Sequence, residues 1–169
     1  MPLLQAQLPR YPAQIVTTGF HIQGTMETIG PVMDYLNDVN RTHLPFLDAT
    51  VNALTPGPMG PLTRSQVLIP KADAVAIYLD DATGRSSISL LRRVERGILY
   101  LPGLVCRCEL HMGADTRWQD MLSLLPGDFF GVTAAMVFPL LTLPGPFPQQ
   151  ADLVIFNRRH VRMMHLDQP

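Results

Sequence analysis

The residues best suited to binding a ligand form one short basic cluster near the end of the chain. Arg158, Arg159, His160 and Arg162 lie within five residues of one another. Arginine presents a planar fork of N–H donors that can clamp a phosphate group or stack on a base. A solvated turn whose arginines make ordinary ion pairs would show the same pattern, so both interpretations remain open. Another basic run, at 92–96, is split by an acid and is typical of a solvated strand entry.

The other residues that could do chemistry lack the spacing that catalysis or metal binding requires. No H-x-H or H-x-x-x-H pair occurs, which argues against a metal site or another bound cofactor. Asp34 and Asp120 recur at the same position of two predicted helices, which favours local polar contacts over a catalytic carboxylate pair. The sequence also lacks a Gly-rich phosphate loop and a nucleophile elbow. We therefore expect that the protein is not an enzyme.

The two cysteines, Cys106 and Cys108, lie two residues apart on one face of a predicted strand. Such neighbours are about 7 Å apart, too far for an easy mutual disulfide. They are predicted to be small buried hydrophobic residues in a reducing cytoplasm. The first ten residues lack the basic start and apolar segment of a signal peptide. The apolar runs are too short for a membrane span, so we expect a cytoplasmic protein without a membrane partner.

Composition and charge indicate a globular protein with a sizeable core. The 169 residues are 47% hydrophobic and 16% charged, as in folded domains. Residues 1–84 carry four basic and seven acidic side chains, whereas 85–169 carry nine and seven. The net charge of −1 leaves little counterion release to support binding of nucleic acid over a large surface. RNA therefore remains a possible partner that the charge does not favour.

Two similar hairpins, 84 residues apart, organise the chain. Residues 13–27 align without a gap on 97–111 when Gly19 is set on Gly103. In each copy an apolar strand runs into a glycine turn, and the next strand alternates apolar and other residues, which is typical of a β-hairpin. The repetition predicts a tandem duplication with units at 11–81 and 93–167, joined by a linker and lead-in at 82–92.

A short helix is predicted after each hairpin. Apolar residues recur there at the spacing of one helix face, 86 residues apart in the two copies: Val32, Tyr35, Leu36 and Val39, then Trp118, Met121, Leu122 and Leu125. For the aromatic residues of these stripes, packing in the core is favoured over stacking on a base. We expect each helix to dock its stripe against the strands of its own unit.

In this order of strands, turns and helix, each unit resembles Sm-like (LSm) domains. The first Sm motif is echoed by Gly24-Thr25-Met26, Asn37 and Leu47-Asp48-Ala49, and the second by 67–77 and 154–163. The chain is also similar to uncharacterised bacterial proteins with tandem Sm-like units. The resemblance implies a mainly-β fold of two tandem Sm-like small β-barrels, each with one short helix inserted between strands 2 and 3.

The same resemblance suggests a site and a function. Lys71, Asn157, Arg158 and Arg159 lie at the position of the Arg-Gly pair that lines the RNA-binding pore of Sm proteins, although neither turn retains the glycine. These residues are the candidate ligand contacts. Sm-like units assemble through open strand edges, which are templates for pairing. The leading hypothesis is a non-catalytic Sm-like binding and assembly module that self-associates; the alternative is RNA binding through the Lys71 and Asn157–Arg159 turns.

Overall fold

The computed structural model describes residues 7–143 and 145–168. Over these residues the protein is mainly β, as predicted, and ten antiparallel strands form one sheet that does not close. The strands are β1 (Arg10–Thr17), β2 (Phe20–Glu27), β3 (His43–Ala53), β4 (Leu62–Pro70), β5 (Ala74–Leu79), β6 (Arg93–Leu101), β7 (Leu104–Met112), β8 (Phe129–Pro139), β9 (Gln150–Asn157) and β10 (Met163–Leu166).

The two halves of the sheet have the same strand order. The first half, β1 to β5, runs β5-β1-β2-β3-β4, and the second half, β6 to β10, runs β10-β6-β7-β8-β9. The halves join where β5 pairs with β9, with Ala76 opposite Phe156 and Ile77 opposite Ile155. Within the described part of the chain, β4 and β10 are the outer edges of the sheet.

Both predicted hairpins are confirmed as β1–β2 and β6–β7. Gly103 adopts a φ of +73° in the second turn, a conformation that glycine enters without a steric penalty. The third strand of each half has a left-handed residue, Asp48 at φ 48° and Ala134 at φ 47°. The pairing register also shifts between β2 and β3 and between β7 and β8. These irregularities bend each half of the sheet.

The predicted helices differ between the halves. Helix α1 (Val32–Asn37) buries Val32, Tyr35 and Leu36. Val39, however, is 89% exposed, because α1 ends at Asn37 and Asp38 is extended; its assignment to the buried stripe was wrong. The second half forms a 3-10 turn, Trp118–Asp120. Its apolar residues still pack on the core: Met121 is buried, and Trp118, Leu122 and Leu125 are partly buried.

A further helix, α2 (Ala82–Ser86), lies in the segment predicted as a linker. Asp81 precedes it, and its side chain accepts hydrogen bonds from the backbone N–H groups of Thr83 and Gly84. A carboxylate at this position satisfies donors that the helix itself leaves without partners. Gly84 packs against Tyr11, where an added Cβ would lie 2.8 Å from the ring. The helix therefore fixes the connection between the halves against β1.

The hydrophobic core consists of two clusters, and each of them includes residues from both halves of the chain. The cluster of the first half includes Phe129, Leu153 and Ile155 of the second half. The cluster of the second half includes Val16, Leu54, Val75 and Ala76 of the first. Burial on this scale is the main favourable contribution to folding. The two halves therefore depend on each other for part of their cores.

Cys106 and Cys108 are buried free thiols within the second cluster, so the prediction that they are buried is confirmed. A hydrogen bond to Cys106 and burial both raise the pKa of the Cys108 thiol. A thiol held in this protonated form is a poor nucleophile. The cysteine pair is therefore a packing feature.

Candidate functional site

A basic cleft of about 380 Å³ lies at the junction of the two halves. Four cationic side chains and the carboxylate of Asp128 line it. The cations are Arg41, Lys71, Arg158 and Arg159. Three of the four predicted ligand residues, Lys71, Arg158 and Arg159, therefore line one cavity, and Asn157 is immediately adjacent to it.

The sheet itself brings these residues together. Lys71 starts a 3-10 turn, Lys71–Asp73, that precedes β5, and Arg158 starts a matching turn, Arg158–His160, that follows β9. Because β5 and β9 are antiparallel neighbours, the turn before one strand lies beside the turn after the other. A contact of 2.6 Å between His160 Nε2 and the Ala72 carbonyl oxygen joins the two turns directly.

Asn157 is a structural link between the turns, not an exposed ligand contact. Its side chain is almost fully buried, at 1% exposure. Its Nδ2 donates to the Lys71 carbonyl oxygen at 3.2 Å, and its Oδ1 accepts from the Arg159 backbone N–H at 3.0 Å. Both ends of the amide are therefore occupied, and the residue positions Lys71 and Arg159.

The two arginines of the second turn have different roles. Arg158 donates through Nε to Asp128 Oδ1 at 3.2 Å, and through Nη1 to the carbonyl oxygens of Leu122 and Leu125 at 3.0 and 3.1 Å. It therefore ties the segment before β8 to the end of β9. The Arg159 side chain is 65% exposed, and its Nε lies 2.7 Å from Asp128 Oδ2. Of the pair, Arg159 is the one available to a ligand.

Arg41 is the cleft residue that the sequence interpretation missed. Its guanidinium carbon lies 4.4 Å from the centroid of the Tyr35 ring, a cation–π contact that holds the planar group in place. Its Nε is buried and has no hydrogen-bond partner among the described residues. Arg41 is an isolated basic residue between α1 and β3, so no local pattern marks it as part of a site.

The cations of the cleft also act on one another. Burial lowers the pKa of Lys71, and the nearby charge of Arg41 lowers it further, whereas Asp38 and Asp128 oppose the shift. Lys71 Nζ donates to the Asp38 carbonyl oxygen at 2.8 Å. Burial likewise raises the pKa of Tyr35, against the opposing effect of Arg41. Burial thus outweighs the nearby acidic groups, and Lys71 lies in a partly desolvated site that disfavours its charge.

A clamp between the halves holds the cleft in shape. Asn37, at the end of α1, donates through Nδ2 to the Phe129 carbonyl oxygen at 3.1 Å and accepts from the Phe129 N–H at 2.9 Å. Gly127 permits this close approach, because an added Cβ there would lie 2.3 Å from Asn37 Cγ. The cleft is therefore a preformed feature of the junction.

The described residues carry neither a metal-binding cluster nor a membrane-spanning helix. Across 7–143 and 145–168, no group of three or more His, Cys, Asp or Glu side chains is arranged to hold a metal ion. In the described part of the chain, no helix has the length and apolar character needed to cross a membrane.

Comparison with known proteins does not place the chain in a family. No protein-family model, no curated protein and no solved structure matches it. The resemblance to Sm-like domains therefore stays a prediction from the sequence.

Proposed function

We propose that the chain is a non-catalytic binding and assembly module made of two tandem Sm-like barrels, which associates with further copies through its strand edges. The observation that carries this proposal is the β5–β9 junction. There the last strand of one half adds to the fourth strand of the other half. The chain thus already contains one edge-to-edge contact of the kind that the proposal requires between copies.

The outer edges of the sheet are the counterparts of the two strands that pair at this junction. β10 is the last strand of the second half, as β5 is of the first. β4 is the fourth strand of the first half, as β9 is of the second. An edge strand presents unpaired N–H and C=O groups, which are a template for another strand. Adding β10 of one copy to β4 of the next would repeat the internal junction.

Exposed apolar side chains mark the positions that such pairing would cover. Leu68 of β4 is 61% exposed, whereas Ile155, at the equivalent place in β9, is fully buried. Met163 of β10 is 55% exposed, whereas Ala76, its equivalent in β5, is fully buried. At the internal junction Ala76 lies opposite Phe156. If the same register formed between copies, Met163, the equivalent of Ala76, would lie opposite Ile69, the equivalent of Phe156, in the next copy.

Assembly is tested by the mass of the purified protein in solution. We expect the wild-type protein to run as a multiple of its 18.8 kDa chain in light scattering coupled to gel filtration. Leu68→Lys combined with Met163→Lys should shift it toward one chain, because charges on an edge oppose pairing. Leu140→Lys, at an exposed leucine in the turn after β8, is the control. A monomeric wild-type protein at tens of micromolar would contradict the proposal.

RNA binding through the Lys71 and Asn157–Arg159 turns is the second candidate function. It is supported by the meeting of the two turns in one basic cleft. Since Arg158 and Asn157 are engaged in internal hydrogen bonds, Lys71 and Arg159 are the residues through which RNA would be bound.

A filter assay with single-stranded oligo-U or oligo-A tests this candidate. With a net charge of −1, we expect weak binding or none near physiological salt. If RNA does bind, Lys71→Ala with Arg159→Ala should weaken it and reduce the salt slope by about 0.7 for each lost phosphate contact. Submicromolar binding that this double variant abolishes would rank RNA first; submicromolar binding that it leaves intact would place RNA elsewhere on the protein.

A further inference from the structure

The basic cleft contains more positively charged side chains than the carboxylate of Asp128 can neutralise. Asp128 accepts a hydrogen bond from Arg158 and forms a salt bridge with Arg159, and Arg158 also donates to two backbone carbonyl oxygens. Arg41 and Lys71 line the same cleft, and no salt bridge of either to a carboxylate is present among the described residues. An anion in the cleft could therefore contact Arg41, Lys71 and the exposed part of Arg159.

Arg41 gives the clearest sign that an acceptor belongs in the cleft. A buried charged donor without a partner is costly, because the group has lost water and gained no hydrogen bond. Its Nε is in that state among the described residues, although Tyr35 holds the guanidinium plane in place. The fork of an arginine matches the oxygens of a phosphate group and can donate to two of them at once.

Lys71 supplies a second and independent observation. Lys71 lines the cleft, and its ammonium group makes one hydrogen bond, to the Asp38 carbonyl oxygen, which leaves two of its three donors for another acceptor. Burial and the Arg41 charge disfavour its protonated form. A bound dianion would offset both effects.

We propose that this cleft is a binding site for one phosphate group, held by Arg41, Lys71 and Arg159 across the junction of the two halves. The volume of about 380 Å³ falls within the usual range for small-molecule sites, so inorganic phosphate and the phosphate monoester of a small molecule both fit. A polymer is less suited, because it requires a continuous positive surface, and the first 84 residues carry more acids than bases.

The test measures phosphate binding by the full-length protein. Isothermal titration with inorganic phosphate and with phenyl phosphate, at constant ionic strength in chloride buffer, separates the free anion from the monoester. Arg41→Gln and Lys71→Gln should each weaken binding about tenfold or more, as expected when a charge-assisted contact is lost. Arg64→Gln, at an exposed arginine of β4 outside the cleft, should leave it unchanged.

The thermal midpoint provides a second measurement that does not depend on how stable each variant is. Phosphate should raise the midpoint of the wild-type protein and of Arg64→Gln, because a ligand that binds the native state stabilises it. Neither cleft variant should show that rise at the same phosphate concentration. Each variant is compared with itself in chloride, so a loss of stability from the substitution cannot imitate the result.

Two outcomes would overturn the proposal: the absence of binding to both probes, and equal binding by Arg41→Gln and the wild-type protein. If neither probe binds while oligo-U binds tightly and Lys71→Gln weakens that binding, the cleft is an RNA site instead. The site does not depend on assembly: a monomeric protein that binds phosphate through Arg41 would contradict the proposed self-association and still support the site.

Discussion

Phe156→Ala is expected to lower the free energy of unfolding by about 3–5 kcal/mol, as large aromatic deletions from a core do. Phe156 is fully buried. Its ring centroid lies 6.4 Å from that of Phe130, and its backbone pairs with Phe130 on one side and Ala76 on the other. Removing the ring would therefore leave a cavity at the point where the two halves meet.

Urea denaturation followed by circular dichroism measures this change. Phe138→Ala is the matched control, since Phe138 lies on β8 and is 49% exposed; its cost should stay within about 1 kcal/mol. Because the core clusters include residues from both halves, we also expect one cooperative transition. A loss below about 1 kcal/mol for Phe156→Ala, or two separate transitions, would mean that the junction contributes little to stability.

Local patterns predicted the hairpins well, because the signals lie within a few residues of each turn. Alternation and a turn glycine mark β1–β2 and β6–β7, and both pairs form with the expected turns. The helical spacing was less reliable. It extended α1 to Val39, although the chain becomes extended at Asp38. In the second half the same spacing accompanies a 3-10 turn, where packing on the core outweighs a weak helix preference.

The cleft could be predicted only in part. Lys71 and Asn157–Arg159 were predicted because the resemblance to Sm-like domains aligns both turns with the Arg-Gly position of those proteins. Arg41 was missed because what distinguishes it, the Tyr35 ring below it and a buried Nε, exists only after folding. The different roles of Arg158 and Arg159 also depend on a partner, Asp128, some thirty residues away in the chain. Single-sequence patterns do not report contacts of that separation.

Arg158→Ala is expected to cost about 2–3 kcal/mol, whereas Arg159→Ala should stay within about 0.5 kcal/mol. Removing the Arg158 guanidinium takes the donor from the carbonyl oxygens of Leu122 and Leu125 and from Asp128 Oδ1. Each lost hydrogen bond is worth about 1 kcal/mol, and the total is reduced here because the side chain is partly solvated. Arg159 makes an exposed ion pair, and such pairs contribute little.

The two substitutions therefore separate a structural arginine from a ligand-binding one. In urea denaturation Arg158→Ala should be the destabilised variant, and Arg158→Lys should recover only part of the loss, since lysine keeps the charge but not the fork. In the phosphate titration Arg159→Ala should bind phosphate more weakly than the wild-type protein, although its stability is nearly unchanged. Equal stability losses for the two alanine variants would contradict the distinct roles assigned to them. Retained phosphate affinity in Arg159→Ala would restrict the site to Arg41 and Lys71.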